Sequence, residues 1–237
     1  MLLNNATLEK IQLRLSLLND FFDEYRKFHR IHSMKFEYSG RLTDKEIYDF
    51  SYFYFMFRFI ATCKNIIHNL DNLLIKDFAY VEHSCGIALR ASLLDTLYIL
   101  AWRKDKSLIN CFLSESYEAI RRNKVWNFSE NEKLKLKRDG AYFKGECKND
   151  IGTASLVTLA NSEIATGCYY QYDVYSKYDH FGIAKFVLFP FPPAEQLANI
   201  DTSLFIITQG IQELVQLCEV DSKFRTDLLR KLAKCHL

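Results

Sequence analysis

YVEHSCGIALRASLLDTLYILAW, from Tyr80 to Trp102, is the stretch whose reading decides the fold. Ile87, Leu89, Leu93, Leu94, Leu97, Tyr98, Leu100 and Ala101 cover most of the circumference of a helix, so the segment must be packed on most sides. Arg90 and Asp95 sit inside that apolar pattern. A guanidinium keeps its proton in a protein, so withdrawing Arg90 from water demands an acidic or anionic partner close by. Asp95 on the same helix and Asp179 further along are the two carboxylates on offer, and the plainest reading is a structural network of Arg90 with one of them.

Working outward toward the N-terminus, a second helix is expected from the Thr43 and Glu46 capping box to about Lys76. Eight aromatics between Tyr48 and Phe59 would also suit a strand. Length decides for the helix, because the apolar spacing continues through Ile60, Ile66, Ile67, Leu70, Leu73 and Leu74 without a breaker. Before it, Leu8, Ile11, Leu15, Leu18, Phe21, Phe22, Tyr25 and Phe28 predict a first helix from about Ala6 to about His32, followed by a loop over residues 33–42. Toward the C-terminus, an amphipathic helix over 107–122 gives way to a basic excursion over 123–150. Nine Lys or Arg between positions 121 and 148 stand there among sparse apolar residues. Helical spacing resumes over 151–168 and leads into a helix from about Cys168 to His180. Pro190, Pro192 and Pro193 make 181–193 an extended or turning linker. A long helix over 193–218 and a short basic one to Leu232 complete the chain. The expected architecture is all-α: one multi-helix bundle domain over 1–237 with long antiparallel helices and a basic, partly irregular excursion around 123–150.

Composition agrees and excludes alternatives. Eight glycines and three prolines are too few for a many-stranded sandwich or barrel. With 31 basic and 29 acidic residues, nothing global advertises nucleic acid or a membrane. The most membrane-like run, 50–70, is interrupted by Arg58, Lys64 and His68, so no membrane partner is expected. The seven cysteines show no CxxC spacing and read as reduced core residues; with an N-terminus unlike a signal peptide they point to the cytoplasm. P-loop, dinucleotide-binding and GxSxG patterns are missing, and His29 with His32 has no companion ligands, so neither cofactor nor metal is expected.

Chemistry is concentrated in two places. Ser176 and His180 share a face of their helix, with Tyr172 and Asp173 one turn before. The run Ala88 to Asp95, followed downstream by Tyr175 to His180, resembles a family of mostly microbial helical proteins. It is similar in layout to the HEPN group (higher eukaryote and prokaryote nucleotide-binding helical bundles), whose ribonuclease members carry an Arg, four to six residues and a His. Two departures stand out: Lys177 precedes His180 where an Arg belongs, and position 95 is Asp where Glu is expected. A literal match to the spacing occurs at Arg26 to His32, where both residues also suit a helix C-terminus as simple cations.

The resemblance implies a protein that binds or cleaves RNA in a microbial defence or toxin setting. Its candidate catalytic set is Arg90, Asp95, Ser176 and His180, with the His as general acid or base on a ribose hydroxyl and the Arg stabilising phosphorane charge. It also implies pairing of copies, for which the aromatic second helix suits a homo-oligomer face. In the basic excursion, Arg121, Arg122, Lys124, Lys135, Lys137 and Arg138, interleaved with Trp126, Phe128, Tyr142 and Phe143, offer phosphate contacts and stacking surfaces for RNA, although a solvated face is the commoner reason for such charge. Two alternatives stay open. One is a non-enzymatic protein-interaction module with the Arg–Asp–His network sealed in the core; the other is a pocket that holds an anion on Arg90 without chemistry.

Overall fold

A computed structural model describes residues 5–28, 44–73, 78–125, 127–147, 151–179, 192–217 and 222–236. These residues form nine helices and no strand: α1 (Asn5–Phe28), α2 (Asp44–Leu73), α3 (Phe78–Lys104), α4 (Leu108–Arg122), α5 (Glu130–Gly145), α6 (Thr153–Ala160), α7 (Glu163–Asp179), α8 (Pro193–Leu217) and α9 (Ser222–Ala233). The chain is an all-α bundle, and the aromatic-rich second segment is helical despite its strand-like composition. Thr43, the loop over 33–42 and the Pro-rich 181–191 lie outside the described residues.

Helix α3 is the hub, with α2, α6, α7 and α8 packed around it. By length and composition alone His83–Lys104 is apolar enough to cross a membrane; in the bundle Cys85, Leu89, Leu93, Leu97 and Leu100 are buried among its neighbours. Small polar residues let those helices come close. Thr62 of α2 donates to the Ala88 carbonyl at 3.2 Å and lies 2.7 Å from the Ser92 hydroxyl, while Thr96 returns its proton to the Ser92 carbonyl at 2.9 Å. Buried hydroxyls that satisfy themselves on helix carbonyls carry little penalty. On the α8 side the approach is closer still, for a Cβ placed on Gly210 would lie 2.6 Å from Thr96 Oγ1.

Two expectations need correction. The helix expected from about Cys168 begins at Glu163, and the stretch before it is a separate short helix. Asn161 has φ 43°, the left-handed conformation that asparagine tolerates, and its amide closes α6 on the Val157 carbonyl at 3.0 Å. Ser162 then starts α7, its hydroxyl accepting from the Ala165 amide at 3.2 Å. The cysteines are not all reduced core residues. Cys111, in the first turn of α4, and Cys147, just past α5, form a disulfide with their Cα atoms 4.9 Å apart. They meet because α5 folds back along α4, a juxtaposition that a separation of 36 residues does not announce. Cys63, Cys85, Cys168 and Cys235 are buried thiols, and burial pushes Cys63 and Cys85 up to about 12.

The excursion is half helix. Ser129 opens α5 with a capping box: its hydroxyl accepts from the Glu132 amide at 3.3 Å, and its own amide donates to the Glu132 carboxylate at 2.7 Å. Most of the surface of α5 is exposed.

Candidate functional site

At 100° per residue, Ile87, Arg90, Ala91, Leu94 and Tyr98 fall within an arc of about 100° on α3. Ile87 is exposed and the other four are half-buried, whereas the rest of the described circumference at this level is largely buried. Helices α2 and α7 both pack on α3, contacting it through Arg58 on one side and Tyr172 and Ser176 on the other, and the half-burial of the stripe marks a seam between them that solvent partly reaches.

Arg90 leans to the α7 wall. Its Nη2 donates to the Tyr172 hydroxyl at 3.3 Å, its Nε donates to Ser176 Oγ at 3.4 Å, and its guanidinium lies 5.2 Å from the centre of the Tyr172 ring. The Ser176 proton is given to the Tyr172 carbonyl at 2.7 Å, so the hydroxyl faces Arg90 with its lone pairs. Arg90 and Ser176 therefore meet as their helices were expected to allow. A serine committed in this way is a positioning group for the guanidinium, and its proton is already engaged.

Asp95 belongs to the opposite wall. It lies five positions after Arg90, which turns its side chain about 140° away on a helix, and its partner is Arg58 of α2, with Nε 2.8 Å from Oδ2. Of the two carboxylates expected as partners for Arg90, Asp95 is taken by Arg58, and the side chain of Asp179 lies outside the described residues. Arg58 also donates to the Tyr54 hydroxyl and, at 3.5 Å, to the Ala91 carbonyl, with its guanidinium 5.0 Å from the Tyr54 ring centre. Asp95 is only 2% exposed, and burial outweighs the Arg58 charge, raising its carboxyl to about 7. Burial, followed by the charges of Glu115 and Asp95 and by Tyr172 and Tyr54, pushes the Tyr98 phenol well above its ordinary range and keeps it neutral. Phe112 of α4 closes this end of the seam, its ring 5.2 Å from Tyr54 and 5.7 Å from Tyr98.

Sequence reasoning missed Arg58, Tyr54 and Tyr98. The signal was a lone arginine in an otherwise apolar, aromatic run, which marks an interrupted membrane span and equally a buried cation seeking an acid. His180, the proposed acid or base, lies outside the described residues, as do His29 and His32; Arg26 is a surface cation 3.9 Å from Asp23.

The basic set compensates much of its own charge. Arg121 and Arg122 both donate to Glu118, at 2.8 and 2.7 Å, and the Arg121 hydrogen bond leads in holding that carboxyl well below the usual range. Arg138 reaches Asp139 at 3.3 Å, Lys135 is half-buried, and Lys124 and Lys137 stand exposed. No family model matches this chain, and no curated protein or solved structure matches it either. The likeness to the HEPN group rests on the residues of the two helices alone.

Proposed function

We propose that this chain binds RNA along the seam between α2 and α7, with the exposed lysines of the α4–α5 hairpin as a secondary contact. The observation that supports this reading is that two guanidiniums, Arg58 and Arg90, are each steadied by a tyrosine on its own wall of one half-buried stripe. Arginine forks suit phosphate oxygens, and tyrosine rings offer stacking surfaces that any base can use. A guanidinium already oriented loses less freedom on binding than a solvated one. Cleavage would ask for a proton acceptor beside the scissile ribose; His180 is the candidate, because Asp95 is 2% exposed and engaged by Arg58. On this reading the protein works in the cytoplasm, alone or as a homo-oligomer.

The test is fluorescence anisotropy with a short labelled single-stranded RNA, comparing the wild-type chain with Arg58→Ala and Arg90→Ala, each checked by circular dichroism. Loss of one charge-assisted contact is expected to weaken binding roughly 10- to 100-fold. It should also flatten the dependence of affinity on salt. Wild-type chain that leaves the RNA free at low salt would reject the reading. Equal affinity in all three proteins would move the contact elsewhere, and a seam serving only to hold helices together would then be the better account.

A further inference from the structure

We infer that the Cys111–Cys147 disulfide is a redox latch that holds α5 down on α4, and that reduction releases α5 with its lysines. The helix buries few of its own side chains. Of its 16 residues only Leu136 and Phe143 are buried, and its principal partner is α4. Phe143 stacks on Tyr117 at 5.4 Å, Gly140 lets the backbones close up beside Tyr117, and Ser114 donates to the Gly140 carbonyl at 3.2 Å. Two buried side chains do not ordinarily order a 16-residue helix against its conformational entropy. A covalent link across 36 residues removes much of that cost by restricting the chain before α5 docks.

The placement suits a switch. Cys147 is half-buried at the end of the hairpin while Cys111 is buried, so an incoming thiolate reaches the Cys147 sulfur first. With glutathione as the reductant, the glutathione thiolate attacks Cys147 Sγ, the S–S bond breaks, and Cys111 leaves as a thiolate that takes up a proton. A second glutathione thiolate attacks the glutathione sulfur of the mixed disulfide and frees Cys147, so one disulfide and two glutathione thiols become two cysteine thiols and one oxidised glutathione. The other described cysteines, Cys63, Cys85, Cys168 and Cys235, are sealed in the core and do not compete for the exchange. The latch also adjoins the seam, because Cys111 is followed by Phe112, whose ring meets Tyr54 and Tyr98. Any effect of the latch on RNA affinity rests on the binding reading above; the release of α5 does not.

The experiment equilibrates the full chain with oxidised or reduced glutathione and alkylates the free thiols for intact-mass analysis. Hydrogen exchange over 123–147 and tryptic cleavage after Lys133, Lys137 and Arg138 are then followed in each state. Exchange and cleavage there are expected to be at least about tenfold faster in the reduced protein. The Cys111→Ser/Cys147→Ser double variant should match the reduced protein in both buffers, with its helical circular dichroism otherwise retained. Equal protection in the two states would overturn the inference, as would alkylation of Cys111 and Cys147 in oxidised glutathione. Neither readout contains RNA, so failure of the binding reading leaves this test intact.

Discussion

Arg14 shows how a single residue can be decisive and unreadable. It lies in α1, where the helical spacing is plain, and a cation in such a helix is ordinarily assigned to the water-facing side. In the fold it is fully buried. Its Nε donates to the Cys235 carbonyl at 3.0 Å, and its Nη1 donates to the Asp201 carbonyl at 2.8 Å and pairs with the Asp201 carboxylate. Those partners lie 221 and 187 residues away, so no local pattern can foretell them. The seam is legible to a similar depth: Arg90 and Ser176 come from their positions on two helices, whereas Arg58 and Asp95 needed the rotation of one helix against another. Arg14→Ala is expected to lower stability by about 2–4 kcal/mol, because it empties a buried volume and takes a donor from the Cys235 and Asp201 carbonyls, while the Asp201 carboxylate keeps Lys10 at 3.1 Å. Urea unfolding checks this, and a loss under about 1 kcal/mol would mean that water replaces the guanidinium at little cost.

At the scale of the element, helix identity was legible wherever apolar spacing ran long, and less so where two helices share one stretch. The break at Asn161 and Ser162 was written in residue types suited to a left-handed turn and an N-cap, but continuous apolar spacing on both sides hid it. The crossing of α3 and α8 shows a different limit. A glycine within a helix costs about 1 kcal/mol relative to alanine, so Gly210 looks like a defect by propensity. Packing reverses the sign, since Thr96 occupies the space a methyl group would need. Gly210→Ala is therefore expected to destabilise the protein by roughly 1–2 kcal/mol net, after the gain in helix propensity is counted. Adding Thr96→Ala should restore most of the loss. Thermal unfolding of the two single variants and the double variant measures that coupling, and additive effects would mean the two residues do not compete for the same space.

At the scale of the whole molecule, the groups with shifted titration pull stability in opposite directions. Asp95 has its carboxyl raised from 3.8 to about 7, first by burial and against the pull of Arg58. Between those values the folded protein holds a proton that the unfolded chain has released, so this group makes stability fall as pH rises through the window and levels off above about 7. His236 works against it. Set between Gln209 and Gln212, it is lowered from 6.5 by burial and then by Arg14, so it favours the folded state more as pH rises. A pH profile of the wild-type protein alone mixes the two slopes; the difference from Asp95→Asn isolates one. The variant should match the wild type near pH 4, where Asp95 is protonated in the fold, and exceed it by about 1–3 kcal/mol at pH 8. Arg58, 31% exposed and still bonded to Tyr54, loses an ion partner without being left dry. Urea midpoints for both proteins across that range decide the matter. A variant less stable than the wild type at pH 8 would show that the Arg58–Asp95 pair holds α2 to α3, and the seam's charge would then serve the fold before any ligand.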